Sequence, residues 1–504
     1  MPVFAAVDIG SNSVRLSIAE LRRDRLVPLH QDREVTRLGE GVFHDGSLSP
    51  KAMAASLKVL NRFHRAVQSF AVERIRVVAT SALRDSNNAH IFAEWVKSAT
   101  GWNIEIISGL EEGRLIHLGV VASMRRPAKM LLIDLGGGSC ELTLSDKGHI
   151  KEIVTLPLGA VRLTQEFIHR DPPAKEELKR LREFIAEETA HLPRQLVRSN
   201  VKLVIATSGS AAALSGAAQS LRLAGGQVSR ATIATLAKRL AKLTIRQRAA
   251  IKGINSKRAE IVIAGAAVYA HIMEVCGLRS FRYSSLGLRD GILAQMAAEY
   301  DEHTRSHLQL VSDRQDVLLN TSRRYGADLA HVEHVRGLAW SLFDQTKSMH
   351  RLGSDFREWI GAAAMLYEVG TYINPVGRHR HAYYIVWHSE LFGFTPLQRK
   401  IIATIARFQG NSRPQLRDRL VKLLPAPLRA DVIKATAILR VARALNQGRR
   451  QAVQSIRATQ RDGQLIVNLN TRRRAGVDLE LWAGEKEVAY FREVFGRELS
   501  LRLG

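Results

Sequence analysis

Residues 6–20 read Ala-Val-Asp-Ile-Gly-Ser-Asn-Ser-Val-Arg-Leu-Ser-Ile-Ala-Glu, and residues 132–146 read Leu-Ile-Asp-Leu-Gly-Gly-Gly-Ser-Cys-Glu-Leu-Thr-Leu-Ser-Asp. Aligned on Asp8 and Asp134, both carry an apolar run, an Asp, one apolar residue, a Gly/Ser-rich turn and a second alternating apolar run. The pattern predicts a strand, a tight turn and a strand, made twice. A Gly/Ser turn lets backbone N–H groups surround a phosphate. An Asp at the strand end holds a metal ion or orients a water. Two such loops facing each other predict a phosphate-processing cleft between two similar lobes.

The full sequence has 504 residues. Its length fits about three or four domains of ordinary size. Hydrophobic residues make up 46% and charged residues 24%, as in folded water-soluble proteins. No apolar stretch is long enough to span a bilayer. The start, Met1-Pro2-Val3-Phe4, runs straight into the first strand, which predicts no signal peptide. Two cysteines, Cys140 and Cys276, argue against a disulfide framework and for a reducing, cytoplasmic setting.

The net charge is +26, from 74 Lys+Arg against 48 Asp+Glu. Such an excess favours polyanionic partners. Nucleic acid, anionic membrane and polyphosphate all qualify; the bland alternative is a generally cationic surface. The basic residues are dispersed, at Arg22/Arg23/Arg25, Arg125/Arg126, Lys238/Arg239/Lys242, Arg378/Arg380, Arg449/Arg450 and Arg472/Arg473/Arg474. They therefore belong to folded surfaces rather than a tail. The absence of a recognised DNA- or RNA-binding motif argues against specific nucleic-acid readout.

Strands at 75–80, 104–107, 201–206 and 281–284 alternate with helical stretches, which predicts an α/β architecture for the first 300 residues. From about 302 to 446 helical periodicity dominates and predicts an all-α domain. Beyond 455, Gln464–Leu469 and Val477–Trp482 read as strands of a small α/β appendix. The expected domains are 1–126, 127–301, 302–450 and 451–504.

Asp134 and Glu141 stand seven residues apart across a hairpin, within reach of one Mg2+ ion. In Ser108-Gly109-Leu110-Glu111-Glu112-Gly113-Arg114 a carboxylate at a strand-to-helix turn can polarise water; otherwise both acids simply favour the helix N-terminus. Arg84 follows a strand, where its guanidinium can grip a terminal phosphate through two hydrogen bonds or lie on the surface. His331, His334, His379, His381 and His388 suggest a metal phosphohydrolase of the HD type. That site needs a His-Asp pair where Tyr367-Glu368 stands, and a late Asp where Asn446 stands. The reading therefore goes against a catalytic metal in this segment.

As a set these residues resemble the exopolyphosphatase/guanosine pentaphosphate phosphatase (Ppx–GppA) family, across essentially the whole chain. The resemblance rests on residues 8–15, 80–84, 107–116, 133–139, 207–210 and 286–291, and on His379-Arg380-His381-Ala382-Tyr383-Tyr384. It implies two duplicated ribonuclease-H-like lobes of the actin/Hsp70/sugar-kinase superfamily, a degenerate HD-like helical domain and a small C-terminal α/β domain. It implies Glu112 as the general base and Arg84 as a phosphate-binding catalytic residue. Asp134, Glu141 and Asp8 would hold Mg2+, with a monovalent cation such as K+ as an optional companion. Asn12, Ser13, Arg15, Gly136, Gly137, Gly138, Ser139, Gly209 and Ser210 would line the phosphate site. Cys140 stands where Thr is common. The expected activity is Mg-dependent release of orthophosphate from the end of inorganic polyphosphate by a cytoplasmic homodimer. The alternatives are conversion of pppGpp to ppGpp, ATP-dependent kinase activity, and a non-catalytic polyanion-binding sensor; the last does not need Glu112.

Overall fold

The computed structural model describes residues 1–124, 127–461, 463–471 and 476–503. The basic clusters Arg125/Arg126 and Arg472/Arg473/Arg474 lie outside the described residues. The chain forms two compact units, Met1–Val311 and Ser312–Gly504. No described helix is long and apolar enough to cross a membrane.

The first unit holds two mixed sheets. β1 (Val3–Ile9), β2 (Val14–Arg22) and β3 (Arg25–Glu34) form an antiparallel meander, and β4 (Arg74–Ala79) and β5 (Ile104–Ile106) continue it in parallel, giving the order β3-β2-β1-β4-β5. The second sheet repeats this with β6 (Met130–Leu135), β7 (Cys140–Asp146), β8 (His149–Leu156), β9 (Leu203–Thr207) and β11 (Ser280–Tyr283) in the order β8-β7-β6-β9-β11. A two-residue strand, β10 (Val228–Ser229), is added at its edge. The repeat in sequence is thus a repeat in topology. The central strands β1 and β6 are apolar runs buried almost throughout, while β3 at the edge is mostly half-buried or exposed. That difference follows from position in the sheet, because a central strand is covered on both faces.

Helices Pro50–Ser69 and Ala89–Thr100 close one face of the first sheet through Phe63 and Phe92. Helix Val262–Val275 closes one face of the second through Tyr269 and Ile272. A further core joins the sheets: Phe4, Ala6 and Val78 meet Met130, Leu132 and Ile205 around helices Gly109–Ala122 and Leu288–Tyr300. These two helices cross at Gly119 and Gly291, where an added Cβ on Gly291 would collide with the Leu115 carbonyl. The crossing brings the start of the Gly109–Ala122 helix to the strand ends of both sheets.

The second unit is built on helices Leu329–Gln345, Asp355–Leu366, Arg378–His388, Pro396–Arg407 and Arg429–Ala444, and on a sheet β12-β13-β14 (Val453–Arg461, Gln464–Thr471, Glu498–Leu503). Residues 451–504 share one core with the helices, since Val453, Val467, Phe491 and Leu499 pack in the same cluster as Val335, Ile402 and Val441. The change expected after residue 301 lies within a few residues of helix Arg305–Arg324, which runs across the division after Val311. The strand expected at Val477–Trp482 is corrected: Asp478–Phe495 is a helix. The alternation of Val477, Leu479 and Leu481 mimics a strand, but Asp478 and Glu480 sit in a first helical turn, where they oppose the positive end of the dipole. Burial at Glu480, Ala483, Gly484, Glu487, Tyr490 and Phe491 follows the helical period. The third strand of the sheet is Glu498–Leu503.

Candidate active site

The two hairpins turn identically. Gly10 N–H donates to Ser13 O at 3.2 Å, and Gly136 N–H to Ser139 O at 2.9 Å. Their registers pair Asp8 with Arg15 and Asp134 with Glu141. Paired residues of antiparallel strands project to the same face. The first hairpin therefore sets a guanidinium beside its Asp (Arg15 Nη1 to Asp8 Oδ2, 4.0 Å), and the second sets a carboxylate there.

The turns approach each other closely. A Cβ on Gly137 would stand 3.1 Å from the Ser11 Cβ, and one on Gly138 would collide with Ser81 and Phe43. The run of glycines thus answers to the contact between lobes as well as to any ligand. Gly138 does not line the cavity that the turns enclose, whereas Gly136, Gly137 and Ser139 do.

That cavity measures about 200 Å³. Asp8, Asn12, Ser13, Arg15, Glu112, Asp134 and Gly209 also line it. Glu112 enters from the first turn of the Gly109–Ala122 helix, whose N-cap Ser108 accepts from Glu111 N at 3.1 Å. The structure separates the two adjacent acids. Glu111 accepts two bonds from Arg114, at 2.8 and 2.9 Å, while Glu112 turns to the cavity with its buried Oε2 free of hydrogen bonds. Arg84 stands behind Glu112, its Nη1 3.6 Å from Glu112 Oε2 and 2.9 Å from the Ile107 carbonyl that it donates to; it does not line the cavity. Ser210 is buried and likewise does not line it.

Glu112, Asp134 and Glu141 bring one carboxylate oxygen each within 4.8 Å of the others. Thr207 donates its hydroxyl to Asp134, and Thr155 donates to Glu141 Oε1 at 3.0 Å. Glu141 Oε2 is buried and unpartnered. Burial and then the charge of Asp134 push Glu141 up to about 8. Burial and then Glu141 push Glu112 well above the usual carboxylate range. Burial also raises Asp134, and Asp8 despite Arg15 beside it. Three repelling acids, two of them with a buried oxygen that makes no hydrogen bond, fit a hard divalent cation, which prefers oxygen ligands. Asp8 lines the cavity but is not part of this trio; Glu112 takes its place.

Basic groups share this cavity with the acids. Arg15, Arg33, Arg258 and Arg289 line it together with Tyr283. Arg289 donates to the Leu16 carbonyl at 2.8 Å, and Gly209 leaves room for the Arg258 guanidinium, with which a Cβ would collide. Burial, then repulsion from Arg33 and Arg15, lowers Arg258 to about 9. Arg33 and Arg289 are lowered by the same two causes. Sequence reasoning assigned no role to Arg33, Arg258 or Arg289. Only Arg289 lay within a quoted motif. Ser208, also in the lining, starts the helix after β9 with φ 77°, a strained conformation for a side chain other than Gly.

In the second unit the histidines do not converge. His331 meets the Tyr367 hydroxyl, and its Nδ1 lies 3.0 Å from Asn446 Nδ2, while Glu368 pairs with Arg449. The cation held by these buried groups is a guanidinium. His334 contacts the Val453 carbonyl at 2.8 Å, and His379 stands beside Arg378, with burial and arginine charge lowering it to about 3.

A model described as the Ppx/GppA phosphatase family matches residues 17–300, and one for its domain III matches residues 314–486. A Ppx/GppA family member from Aquifex aeolicus is 28% identical with a TM-score of 0.51, over 60% of this chain and 99% of that one. A structure of the Aquifex aeolicus PPX-GPPA enzyme is 30% identical with a TM-score of 0.50, over 58% and 98%. An exopolyphosphatase from Cytophaga hutchinsonii is 24% identical with a TM-score of 0.55, over 60% and 99%, and shares the fold. With both of its units matched, the chain belongs to the Ppx/GppA phosphatase family.

Proposed function

We propose that the protein hydrolyses the terminal phosphoanhydride of inorganic polyphosphate and releases orthophosphate. The observation that carries this reading is Glu112, whose buried Oε2 makes no hydrogen bond, at a cavity that is also lined by four arginines. Glu112 takes a proton from water, and burial with Glu141 nearby raises its affinity for that proton above that of an ordinary carboxylate. The water attacks the terminal phosphorus in line with the leaving chain. Arg84 supports Glu112 from behind. Backbone N–H groups of the two turns and the cavity arginines hold the phosphate oxygens, and positioning with charge stabilisation is most of what this reaction needs. Asp134 and Glu141, with Glu112 beside them, would hold Mg2+; when bound, it would offset the negative charge on the reacting phosphate.

The test compares kcat/KM for long-chain polyphosphate and for pppGpp, with Glu112→Gln as control. Polyphosphate should be preferred. The variant should lose roughly 10²–10⁴-fold in kcat while still binding the polymer. Equal or better use of pppGpp would move the reading to the nucleotide, and near-full activity of Glu112→Gln would remove Glu112 as base.

A further inference from the structure

Arg33 lies outside every sequence motif, on the edge strand β3. The register sets it directly opposite Arg15. Like charges in that relation destabilise an antiparallel pair. Among the described residues the Arg33 guanidinium makes no hydrogen bond or ion pair, and Asp8, which also faces it, is paired with Arg15 at 4.0 Å. Its strand neighbours are engaged elsewhere. Asp32 accepts from Arg62 at 2.9 and 3.0 Å, and Glu34 accepts from Lys257 at 3.1 Å. The titratable groups facing Arg33 are Arg15, Arg258, Arg289, Asp8 and Tyr283. Tyr283 is 42% exposed. Glu112 lines the same cavity with Arg84 behind it. Around Arg33, three further guanidiniums thus face a single carboxylate that Arg15 already pairs with, an excess of positive charge that a bound anion would relieve.

We propose that Arg33, with Arg15 opposite, is a subsite for a phosphate beyond the scissile bond, and so sets the shortest chain the enzyme holds well. This rests on the phosphoanhydride reading above. It assigns the leaving chain a direction, out past β2–β3, and makes length selection a property of one arginine.

The test is a length series. Orthophosphate, pyrophosphate, tripolyphosphate and tetrapolyphosphate are titrated by calorimetry into Glu112→Gln, alone and combined with Arg33→Ala, Arg33→Lys or Arg33→Glu. Arg33→Ala should leave orthophosphate affinity in place and weaken the longer anions about tenfold or more, the scale of a charge-assisted hydrogen bond. Arg33→Glu should weaken them further, and Arg33→Lys less. The length at which the defect appears counts the phosphates between the reacting end and Arg33. An equal loss at every length, or none at any, overturns the proposal. Turnover separates it from the parent reading: absence of phosphate release from any chain by the wild-type enzyme removes the function, while the binding series still judges Arg33. Failure of every anion to bind removes both.

Discussion

The β1–β2 and β6–β7 hairpins are one device built twice, and they differ where it matters. Turn geometry, the leading Asp and the Gly/Ser composition are shared. The residue paired across the strands from that Asp is Arg15 in the first and Glu141 in the second. One hairpin carries its own counter-charge and joins the other arginines of the cavity. The other sets a second carboxyl beside its Asp and, with Glu112, forms a trio of acids that would suit a divalent cation. The repeat builds the scaffold, and the departure from the repeat divides the labour.

The strongest way to break this comparison is Glu141→Arg, which makes the second hairpin copy the first. Turnover should fall by at least about 10²-fold, the scale of losing one electrostatic element of an active site, and Mg2+ should no longer raise the melting temperature. Retained activity would show that the asymmetry is incidental. The opposite substitution, Arg15→Ala, should be milder: a drop of about ten- to a hundredfold in kcat/KM, expected for one charged hydrogen bond, with the response of melting temperature to Mg2+ intact.

The smallest effect is on stability. Glu141 binds its proton more tightly folded than unfolded, since burial and Asp134 raise it from 4.5 to about 8. Its contribution is therefore fully present below pH 4.5 and is lost as pH rises through 8. Without divalent ions, the melting temperature should sag between about pH 4.5 and 8, and Glu141→Gln should flatten that sag. An unchanged slope in the variant would assign the sag to other groups.

The sequence exposed the hairpins because strand, turn and strand are local signals, and this one occurs twice. It exposed Asp8, Glu112, Asp134 and Glu141 because each stands at a strand end or helix start. It hid Arg33, whose surroundings, Asp32-Arg33-Glu34, read as an ordinary charged edge until β3 pairs with β2. Arg258 was hidden for a related reason, since it reaches the cavity from the short helix Ser256–Ala259, far along the chain from either turn. Gly138 shows a different limit. Composition tells that a Cβ is excluded, and only the fold tells that Ser81 and Phe43 exclude it. At Val477–Trp482 the apolar alternation fitted two periods, and packing against the helical core selected the longer one.

Acids and arginines set together around one small cavity carry a thermodynamic consequence. A cation among Glu112, Asp134 and Glu141 would lower the work of bringing a phosphate to Arg15, Arg33, Arg258 and Arg289, and the phosphate would return the favour by the same factor, because linkage between binding sites is reciprocal. Metal and substrate should act as mutual effectors. A chelator would then present itself as a loss of anion affinity, and a saturating anion as a gain in affinity for the metal.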